Sequence, residues 1–327
     1  MKGSSDGAGD DAQTTFARTR DGDLHRAIKA HGFKVDKAFN ERSAVRVVMS
    51  AAQPFVYIAT AVGLARVLPM VLGLALAFLL FFAAQRAFLT LVHDASHKLY
   101  SKKRSRNDAL ADFLAAGFIG MLLRKYRKIH LAHHAANGSA DDPEYFGYEV
   151  VTKAGGWRRF ILRYALGFEI PYLLGKYHVG QDKYLGEKRM RHGSVDDKRR
   201  FEQASILVCQ GVLATAFFLA GVWWLYGMWL YVAVTWSPLM SRLRFLAEHP
   251  GHGELTMCTR GAAWELIYFA PYNFNYHLEH HLWPAIPPYR LKQVHAALRR
   301  SGFFRDNPQY MATTYVHTLS QYGTKWN

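Results

Sequence analysis

Residues 203–241 read QASILVCQGVLATAFFLAGVWWLYGMWLYVAVTWSPLMS, and none of these side chains is charged. One membrane-spanning helix needs about 20 apolar residues, so this run has the length of two spans. The Tyr226–Gly227 step near its middle is the predicted turn, and three tryptophans cluster there, as aromatic residues do at a membrane interface. Two buried hairpins in a large soluble domain are disfavoured, because soluble cores rarely contain so long an uncharged run.

Two more apolar runs precede this one in the chain. Residues 47–65 end at Arg66, and residues 67–85 follow it, with apolar residues continuing to Val92. Each run has the length of one span. The sequence therefore predicts an all-α integral membrane protein, with four transmembrane helices in two hairpins and a cytoplasmic helical cap.

The rest of the chain is more polar. Residues 108–123 and 160–174 are apolar but short, and we expect them to form helices along the membrane interface. We expect residues 1–43 to form a polar N-terminal tail, residues 44–300 the membrane domain and residues 301–327 a C-terminal cytoplasmic tail. No apolar segment follows the first methionine, so no secretory signal peptide is expected.

The distribution of charge predicts the orientation in the membrane. Lysine and arginine outnumber the acids by 41 to 25, giving a formal charge of +16. The tip of the first predicted hairpin carries only Arg66, and the tip of the second carries no charge. The basic clusters all lie on the opposite side: Lys102, Lys103, Arg104 and Arg106; Arg124, Lys125, Arg127 and Lys128; Lys188, Arg189 and Arg191; Lys198, Arg199 and Arg200. The positive-inside rule places both termini and the middle segment in the cytoplasm, and we expect the chain in a bacterial inner membrane. Because this topology accounts for the excess charge, no nucleic-acid partner is expected.

Histidines are the residues that carry chemistry here. Eight of the sixteen histidines fall in three short motifs: H-D-A-S-H with His93 and His97, H-L-A-H-H with His130, His133 and His134, and H-L-E-H-H with His277, His280 and His281. Residues spaced three or four apart share one face of a helix, so each motif directs its rings to one side. Neutral imidazole is an effective ligand for iron, zinc or copper. The three motifs therefore predict a shared metal centre at the cytoplasmic edge of the spans.

The number of histidines indicates two metal ions, because eight imidazoles exceed what one ion coordinates. A thiolate zinc site is disfavoured, since the only cysteines, Cys209 and Cys258, form no C-x-x-C pair. The Glu-x-x-His motifs of carboxylate-bridged di-iron bundles are absent as well. A histidine-ligated pair of irons is the favoured interpretation, although the spacing alone does not distinguish iron from manganese or copper.

These three motifs resemble the histidine boxes of the membrane fatty acid desaturase superfamily, which includes acyl desaturases, lipid hydroxylases, and carotenoid ring hydroxylases and ketolases. The resemblance runs from about residue 45 to residue 300. Residues 273–281 and the following residues 283–291 look like the third box with its usual tail, and residues 244–249, R-F-L-A-E-H, resemble the segment that supplies one more ligand. By this resemblance the catalytic metal ligands are His93, His97, His130, His133, His134, His249, His277, His280 and His281.

Polar residues beside the motifs are candidates for supporting roles, since metal-bound histidines usually donate their other ring N–H to a carboxylate or carbonyl. The acidic candidates are Asp94, Asp141, Asp142, Glu248 and Glu279. Asn275 is expected to hold a metal-bound water. The other histidines lack grouped spacing and are expected on the surface: His25, His31, His178, His192, His252, His295 and His317.

The resemblance implies that dioxygen is the co-substrate and that an external donor supplies the electrons. No flavin, haem or iron–sulfur motif occurs in the chain, so we expect a ferredoxin or similar acidic protein to dock on the basic cytoplasmic face. Desaturation of a fatty acyl lipid is favoured. The alternative is hydroxylation or ketolation of a carotenoid or another lipid, because the first box and residues 137–144 also resemble carotenoid-modifying enzymes.

A histidine-rich metal transporter is a further hypothesis. Transporters usually place their ligands within the spans near the bilayer midplane. The three motifs lie instead at helix ends and in cytoplasmic segments, which favours an enzyme.

Overall fold

A computed structural model of the chain describes residues 24–137, 139, 142–144, 150–173, 195–250 and 256–322. The described part is mostly α-helical, with short 3-10 helices at Lys37–Asn40, Ala116–Ile119, Pro271–Asn273 and Pro308–Tyr310. The α-helices are α1 (24–30), α2 (Ala44–Val67), α3 (Met70–Ser96), α4 (Arg104–Leu114), α5 (Leu123–Ala136), α6 (Val150–Lys153), α7 (Trp157–Ala165), α8 (Ile170–Leu173), α9 (Val195–Leu219), α10 (Leu225–Val234), α11 (Trp236–Glu248), α12 (Ala263–Tyr268), α13 (His277–Leu282), α14 (Pro288–Arg300), α15 (Phe303–Asp306) and α16 (Tyr315–Ser320).

The first predicted hairpin is formed by α2 and α3. Ser43 caps α2 by accepting a hydrogen bond from the backbone N–H of Arg46. The two helices approach closely near the turn, because a side chain on Gly73 would meet the backbone of Ala65 at 3.2 Å. Helix α3 runs on to Ser96, well past the predicted end of the span, and its last turns carry the first histidine motif.

The second predicted hairpin differs from the prediction in two respects. The turn lies at Gly221, not at Tyr226–Gly227, which is inside α10. Gly221 has a φ of +71°, and its N–H and that of Val222 bond to the carbonyls of Phe218 and Phe217, which is a Schellman ending of α9. The predicted turn position was therefore wrong, because a glycine suited to positive φ occurs earlier in the run.

The last predicted span is not one continuous helix. Helix α10 has 10 residues, and Thr235, with φ −123° and ψ −74°, separates it from α11. Three helices of the described chain are long and apolar enough to cross a membrane, namely α2, α3 and residues Arg199–Leu219 of α9. These three helices confirm the prediction of a helical membrane protein, and the fourth span stays a prediction.

The two short apolar segments are helical. Residues 108–123 contain most of α4 and the 3-10 helix Ala116–Ile119, and residues 160–174 contain most of α7 and α8. Residues 108–123 pack with aromatic side chains of the α2–α3 hairpin and of α10 in one apolar core, in which Phe55, Phe88 and Phe118 contact one another. Residues 160–173 pack in a second cluster, against α11.

The described parts of both predicted terminal segments, residues 24–43 and 301–322, pack against the rest of the protein. Ile28 of α1, Leu298 of α14 and Phe303 of α15 share a buried cluster. Strands β1 (Cys258–Thr259) and β2 (Met311–Ala312) form a two-stranded parallel sheet, which ties the C-terminal segment to the loop before α12. The packing therefore continues through residue 300 into the segment that was predicted to be a separate tail.

Candidate metal centre

Four helices deliver the nine predicted ligands to one place. The last turn of α3 carries His93, and His97 follows directly as its C-cap residue. Helix α5 carries the second motif, helix α13 carries the third, and His249 is the C-cap residue of α11. The histidines that the sequence predicts as ligands are therefore brought together from segments more than 150 residues apart in the chain.

The ring nitrogens form two adjoining groups. The ligand atoms of His93, His97, His130, His134 and His280 all lie within 4.8 Å of one another. Within this group, the Nε2 atoms of His97 and His130 are 2.8 Å apart, and those of His130 and His134 are 3.0 Å apart. Contacts this close between basic nitrogens indicate a common point to which their lone pairs are directed.

The second group consists of His133, His249 and His281, whose ligand atoms also lie within 4.8 Å of one another. His277 joins them, because its Nε2 lies 2.9 Å from that of His249 and 3.1 Å from that of His281. The two groups touch where the ring of His134 stacks on the ring of His281, with the ring centroids 4.1 Å apart. The nine imidazoles are thus divided five to four.

Burial keeps these rings in the form that binds metals. Burial and then the positive charge of Arg127 lower the pKa of His97 to about 3. Burial, followed by the mutual repulsion of charged imidazoles, holds the pKa well below its ordinary value in a further set: His130, His134, His249, His277, His280 and His281. These rings are therefore neutral near pH 7, with one nitrogen lone pair each.

The chemistry of the donors fits a pair of cations. When two neutral imidazoles face each other through Nε2, at most one hydrogen can lie between the two nitrogens. Along the series of Nε2 contacts, some nitrogen lone pairs therefore point at each other. Within the described residues, the buried Nε2 of His93 has no hydrogen-bond partner at all. A buried polar atom without a partner is costly, and a metal ion at this point would satisfy it.

Carboxylates support some of the rings from behind. The Nδ1 of His133 lies 2.9 Å from Asp142, and the Nδ1 of His93 lies 3.4 Å from Asp94. A ring that donates its Nδ1–H to a carboxylate keeps Nε2 available for a metal. Among the other predicted acids, Asp141 lies outside the described residues.

Glu248 supports the second group less directly. Its carboxylate accepts hydrogen bonds from Arg244 at 2.7 Å and from the Tyr315 hydroxyl at 2.8 Å, and it lies 3.5 Å from the Nδ1 of His277. The guanidinium of Arg244 also stacks over the ring of Phe274, 3.9 Å from its centroid. This network fixes the end of α11, where His249 is located.

Glu279 takes part in a third cluster that the sequence did not reveal. Its buried carboxylate accepts a hydrogen bond from the thiol of Cys258 at 2.6 Å, and its other oxygen lies 2.6 Å from the Nδ1 of His295. His295 is therefore not an ordinary surface residue, as predicted, but a partly buried link between α14 and α13. His295 lies on α14 and faces α13, and the sequence did not predict this contact because His295 has no grouped spacing with the other histidines. Asn275 donates to the carbonyl of Thr259 at 2.8 Å and so fastens β1 to the segment before α13.

The remaining histidines lie away from the centre wherever they are described. His25 and His317 are exposed and His31 is half-buried. His178, His192 and His252 lie outside the described residues. Asn275 was predicted to hold a metal-bound water, and this role stays a prediction.

The end of α3 is held by two neighbouring helices. Arg127 of α5 donates to the carbonyls of Ala95 and Ser96 at 2.9 Å and 3.0 Å, and it binds the carboxylate of Asp108 through two nitrogens at 2.6 Å and 3.1 Å. Asn107 of α4 donates to the same Ala95 carbonyl at 2.9 Å. These bonds satisfy helix-end carbonyls that have no partner within α3 and fix the position of the first motif.

The fold is that of a helical protein with three candidate membrane spans in its described part, and its histidines form a candidate metal site built from nitrogen donors. The chain belongs to the fatty acid desaturase family, whose model matches residues 42–315, and the resemblance predicted from the three motifs is confirmed.

Two relatives show the same relationship. The chain is 29% identical over 231 residues to dihydrorhizobitoxine desaturase of Bradyrhizobium elkanii, and the alignment covers 65% of this chain and 64% of the relative. It is 25% identical over 240 residues to probable fatty acid desaturase DES1 of Sorghum bicolor, covering 65% of this chain and 60% of the relative. The chain thus matches a little under two thirds of the length of each relative.

Proposed function

We propose that this chain is a dioxygen-dependent desaturase in which the nine histidines hold two iron ions. The observation that carries the proposal is the convergence of nine imidazoles in two adjoining groups at the end of α3. Iron supports this role better than zinc does, because the two groups contain no thiolate and the family is one of redox enzymes.

The chemistry that the bound irons supply is the use of dioxygen and two electrons to remove hydrogen from an aliphatic chain. In the balanced reaction, two neighbouring methylenes lose two hydrogen atoms, and dioxygen with two electrons and two protons becomes two waters. The protein's own contribution is to hold nine neutral rings in place and to keep the site dry. Asp142 orients His133, and the Arg127–Asp108 pair fixes the helix end that carries His93 and His97.

The substrate is an aliphatic chain that reaches the centre from the membrane side. Sequence patterns favour a fatty acyl lipid, and the alternative is a carotenoid or another lipid that the enzyme hydroxylates or ketolates. The names of the two relatives refer to different substrates, dihydrorhizobitoxine and a fatty acid. Membership of the family therefore supports the proposed type of reaction more strongly than it supports any one substrate.

Topology and electron supply complete the proposal. Charge asymmetry supports an inner-membrane location in a bacterium, with both termini and the centre on the cytoplasmic side and with α10 and α11 together as a broken fourth span. An acidic ferredoxin-type protein supplies the electrons from the cytoplasm.

The test combines metal analysis with product analysis. The full chain and a His133→Ala variant are expressed in a bacterial host that has a ferredoxin system and carotenoid precursors, and lipids, pigments and free acids are analysed by mass spectrometry. We expect about two irons per purified chain and a product that has lost two hydrogen atoms. The chain that keeps His133 should form this product, and the His133→Ala variant should not. Gain of an oxygen atom instead would show a hydroxylase or ketolase, and absence of iron would overturn the proposal.

A further inference from the structure

A cavity of about 180 Å³ lies directly against the metal centre. Its wall includes His93, His130, His133, His249 and His277, so a carbon atom in this cavity has direct access to the centre. A larger cavity of about 660 Å³ lies beside α2 and the end of α3, and none of the nine histidines lines it. The smaller cavity is therefore the one from which a C–H bond reaches the metals.

The wall of this cavity is mostly apolar, and it also contains several charged side chains. Arg242 forms an ion pair with Glu144 at 2.8 Å, and Arg244 forms one with Glu248 at 2.7 Å. Arg86 also lines the cavity, and within the described residues no carboxylate lies within 4.0 Å of its guanidinium. Among the described residues of the wall, there is thus one more arginine than there are carboxylates.

Arg86 is held in place by neutral acceptors. It is 1% exposed, and its guanidinium donates to the carbonyls of Tyr268, Ser237 and Phe269 at 2.8 Å, 3.2 Å and 3.4 Å and to the Ser241 hydroxyl at 2.6 Å. One guanidinium N–H is left for a further acceptor. An ionisable residue inside a membrane span is costly and usually serves a function. A buried cation that is fixed by carbonyls and lacks an acidic partner is a receptor for an anion.

Gln85 provides a second, independent observation. It is 1% exposed, it lines the same cavity, and its Nε2 has no hydrogen-bond partner in the part of the chain that is described. An amide donor buried in this way costs free energy until an acceptor reaches it. A carboxylate offers two acceptor oxygens, one for the amide of Gln85 and one for the guanidinium of Arg86.

The spacing along α3 relates this receptor to the centre. Arg86 and His93 are seven residues apart, which is close to two helical turns, so both lie on one face and about 10 Å apart along the axis. A volume of about 180 Å³ is close to that of an engineered protein cavity of about 150 Å³ that binds benzene. The cavity is thus smaller than a long acyl chain needs.

We propose that the substrate is a small molecule with a free carboxylate, bound by Arg86 and Gln85 while its aliphatic end lies against the histidines. This inference rests on the proposed function and narrows its substrate from acyl lipids to short carboxylic acids. It assigns Arg86 and Gln85 as the residues that determine specificity for an anionic substrate.

The test is a binding experiment that needs no turnover. The iron-loaded full chain in detergent is titrated under nitrogen with hexanoate and with hexanamide, which has the same shape and no charge. We expect hexanoate to bind more tightly by on the order of tenfold, because charge-assisted hydrogen bonds are stronger than neutral ones. Arg86→Gln abolishes this preference, Arg86→Lys retains most of it, Gln85→Leu weakens it, and the exposed Arg300→Gln leaves it unchanged.

Chain length provides the second arm of the test. Each buried methylene adds roughly 0.8 kcal/mol, which is about fourfold in affinity, so an acyl tunnel predicts a continuous rise from hexanoate to dodecanoate. The small cavity predicts that the affinity stops rising. Equal binding of hexanoate and hexanamide, or a continuous rise with length, would overturn the inference. Because the titration is anaerobic, its result is independent of whether the chain proves to be a desaturase.

Discussion

Single side chains decide whether the imidazoles of the centre present the right nitrogen. His133 is the clearest case, because the carboxylate of Asp142 lies 2.9 Å from its Nδ1 and so places the hydrogen on that nitrogen. Its Nε2 is then free to bind a metal. Other side chains act at a distance from the centre, and Asp112 of α4 is one whose charge opposes folding.

Removing the carboxylate behind His133 should weaken metal binding. In Asp142→Ala the ring loses its fixed tautomer, and we expect iron affinity to fall by about 10-fold to 100-fold. The measurement is iron content per chain across a titration of ferrous iron. Asp306→Ala, at an exposed ion pair, is the control and should bind iron as the unmutated chain does. Unchanged affinity in Asp142→Ala would show that the hydrogen bond has no such role.

Asp112 should make stability depend on pH. Burial, and then the negative charge of Glu202, raise its pKa to about 7, with Arg124 offsetting part of the effect. Between about pH 4 and pH 7 the folded protein keeps a proton that the unfolded chain releases, so this contribution to stability declines as the pH rises and is gone above pH 7.

We therefore expect Asp112→Asn to have a higher Tm than the unmutated protein at pH 8, with a smaller difference at pH 5. Thermal unfolding in detergent at the two pH values measures this, with Asp306→Asn as the surface control. If Asp112→Asn changes Tm equally at both values, the carboxyl does not titrate as described.

At the scale of secondary-structure elements, the end of α3 is the junction on which the centre depends. Arg127 from α5 and Asn107 from α4 bind the carbonyl of Ala95, and Arg127 also binds that of Ser96. Three helices are thereby tied together next to His97. A helix end needs such partners wherever water does not reach its carbonyls.

Breaking this junction should destabilise the protein strongly. Arg127→Met removes the closest partner of Asp108, which keeps weaker ion pairs with Arg104 at 3.9 Å and Arg124 at 3.8 Å. We expect the free energy of unfolding to fall by about 1.5–3 kcal/mol, the contribution of hydrogen bonds to a charged group. The double variant Arg127→Met with Asp108→Leu should recover part of the loss, because no buried charge remains. Chemical denaturation in detergent provides the measurement, and the exposed Lys128→Met on the same helix is the control. A loss of less than about 1 kcal/mol would indicate a pair as weak as one on the surface.

At the scale of the whole molecule, the basic charge serves two different purposes. Lys102, Lys103, Arg104 and Arg106 are exposed beside the centre. Within the second cluster, by contrast, Arg127 is buried, and Arg124 lies 3.1 Å from Glu202. Only part of the basic surface predicted for donor docking is therefore presented to a partner protein.

The exposed cluster should govern electron transfer from an acidic donor. We expect Lys102→Glu with Lys103→Glu to lower kcat/KM for a reduced ferredoxin by on the order of tenfold at low ionic strength, with the difference shrinking as salt is added. Arg299→Glu with Arg300→Glu, an exposed pair on α14, is the matched control. Steady-state kinetics with varied ferredoxin and salt give the answer, and equal rates for both double variants would exclude docking at this cluster.

Much of the architecture and most of the centre followed from local patterns. Uncharged runs predicted α2, α3 and α9, because a span is defined by the polarity of consecutive residues. Spacing of three and four residues predicted that each histidine motif presents its rings on one helical face. The family follows from the same residues, since the motifs are short and contiguous.

Only the tertiary structure decided how these pieces combine. Helix α13 divides its ligands between the two groups, His280 in one and His277 and His281 in the other, because neighbouring helices approach it from two sides. The link from Cys258 through Glu279 to His295 joins elements that no spacing rule connects, and the same is true of the packed C-terminal segment. The periodicity of a helix fixes the direction of a side chain, but its partner depends on the packing of segments that are far apart in the sequence.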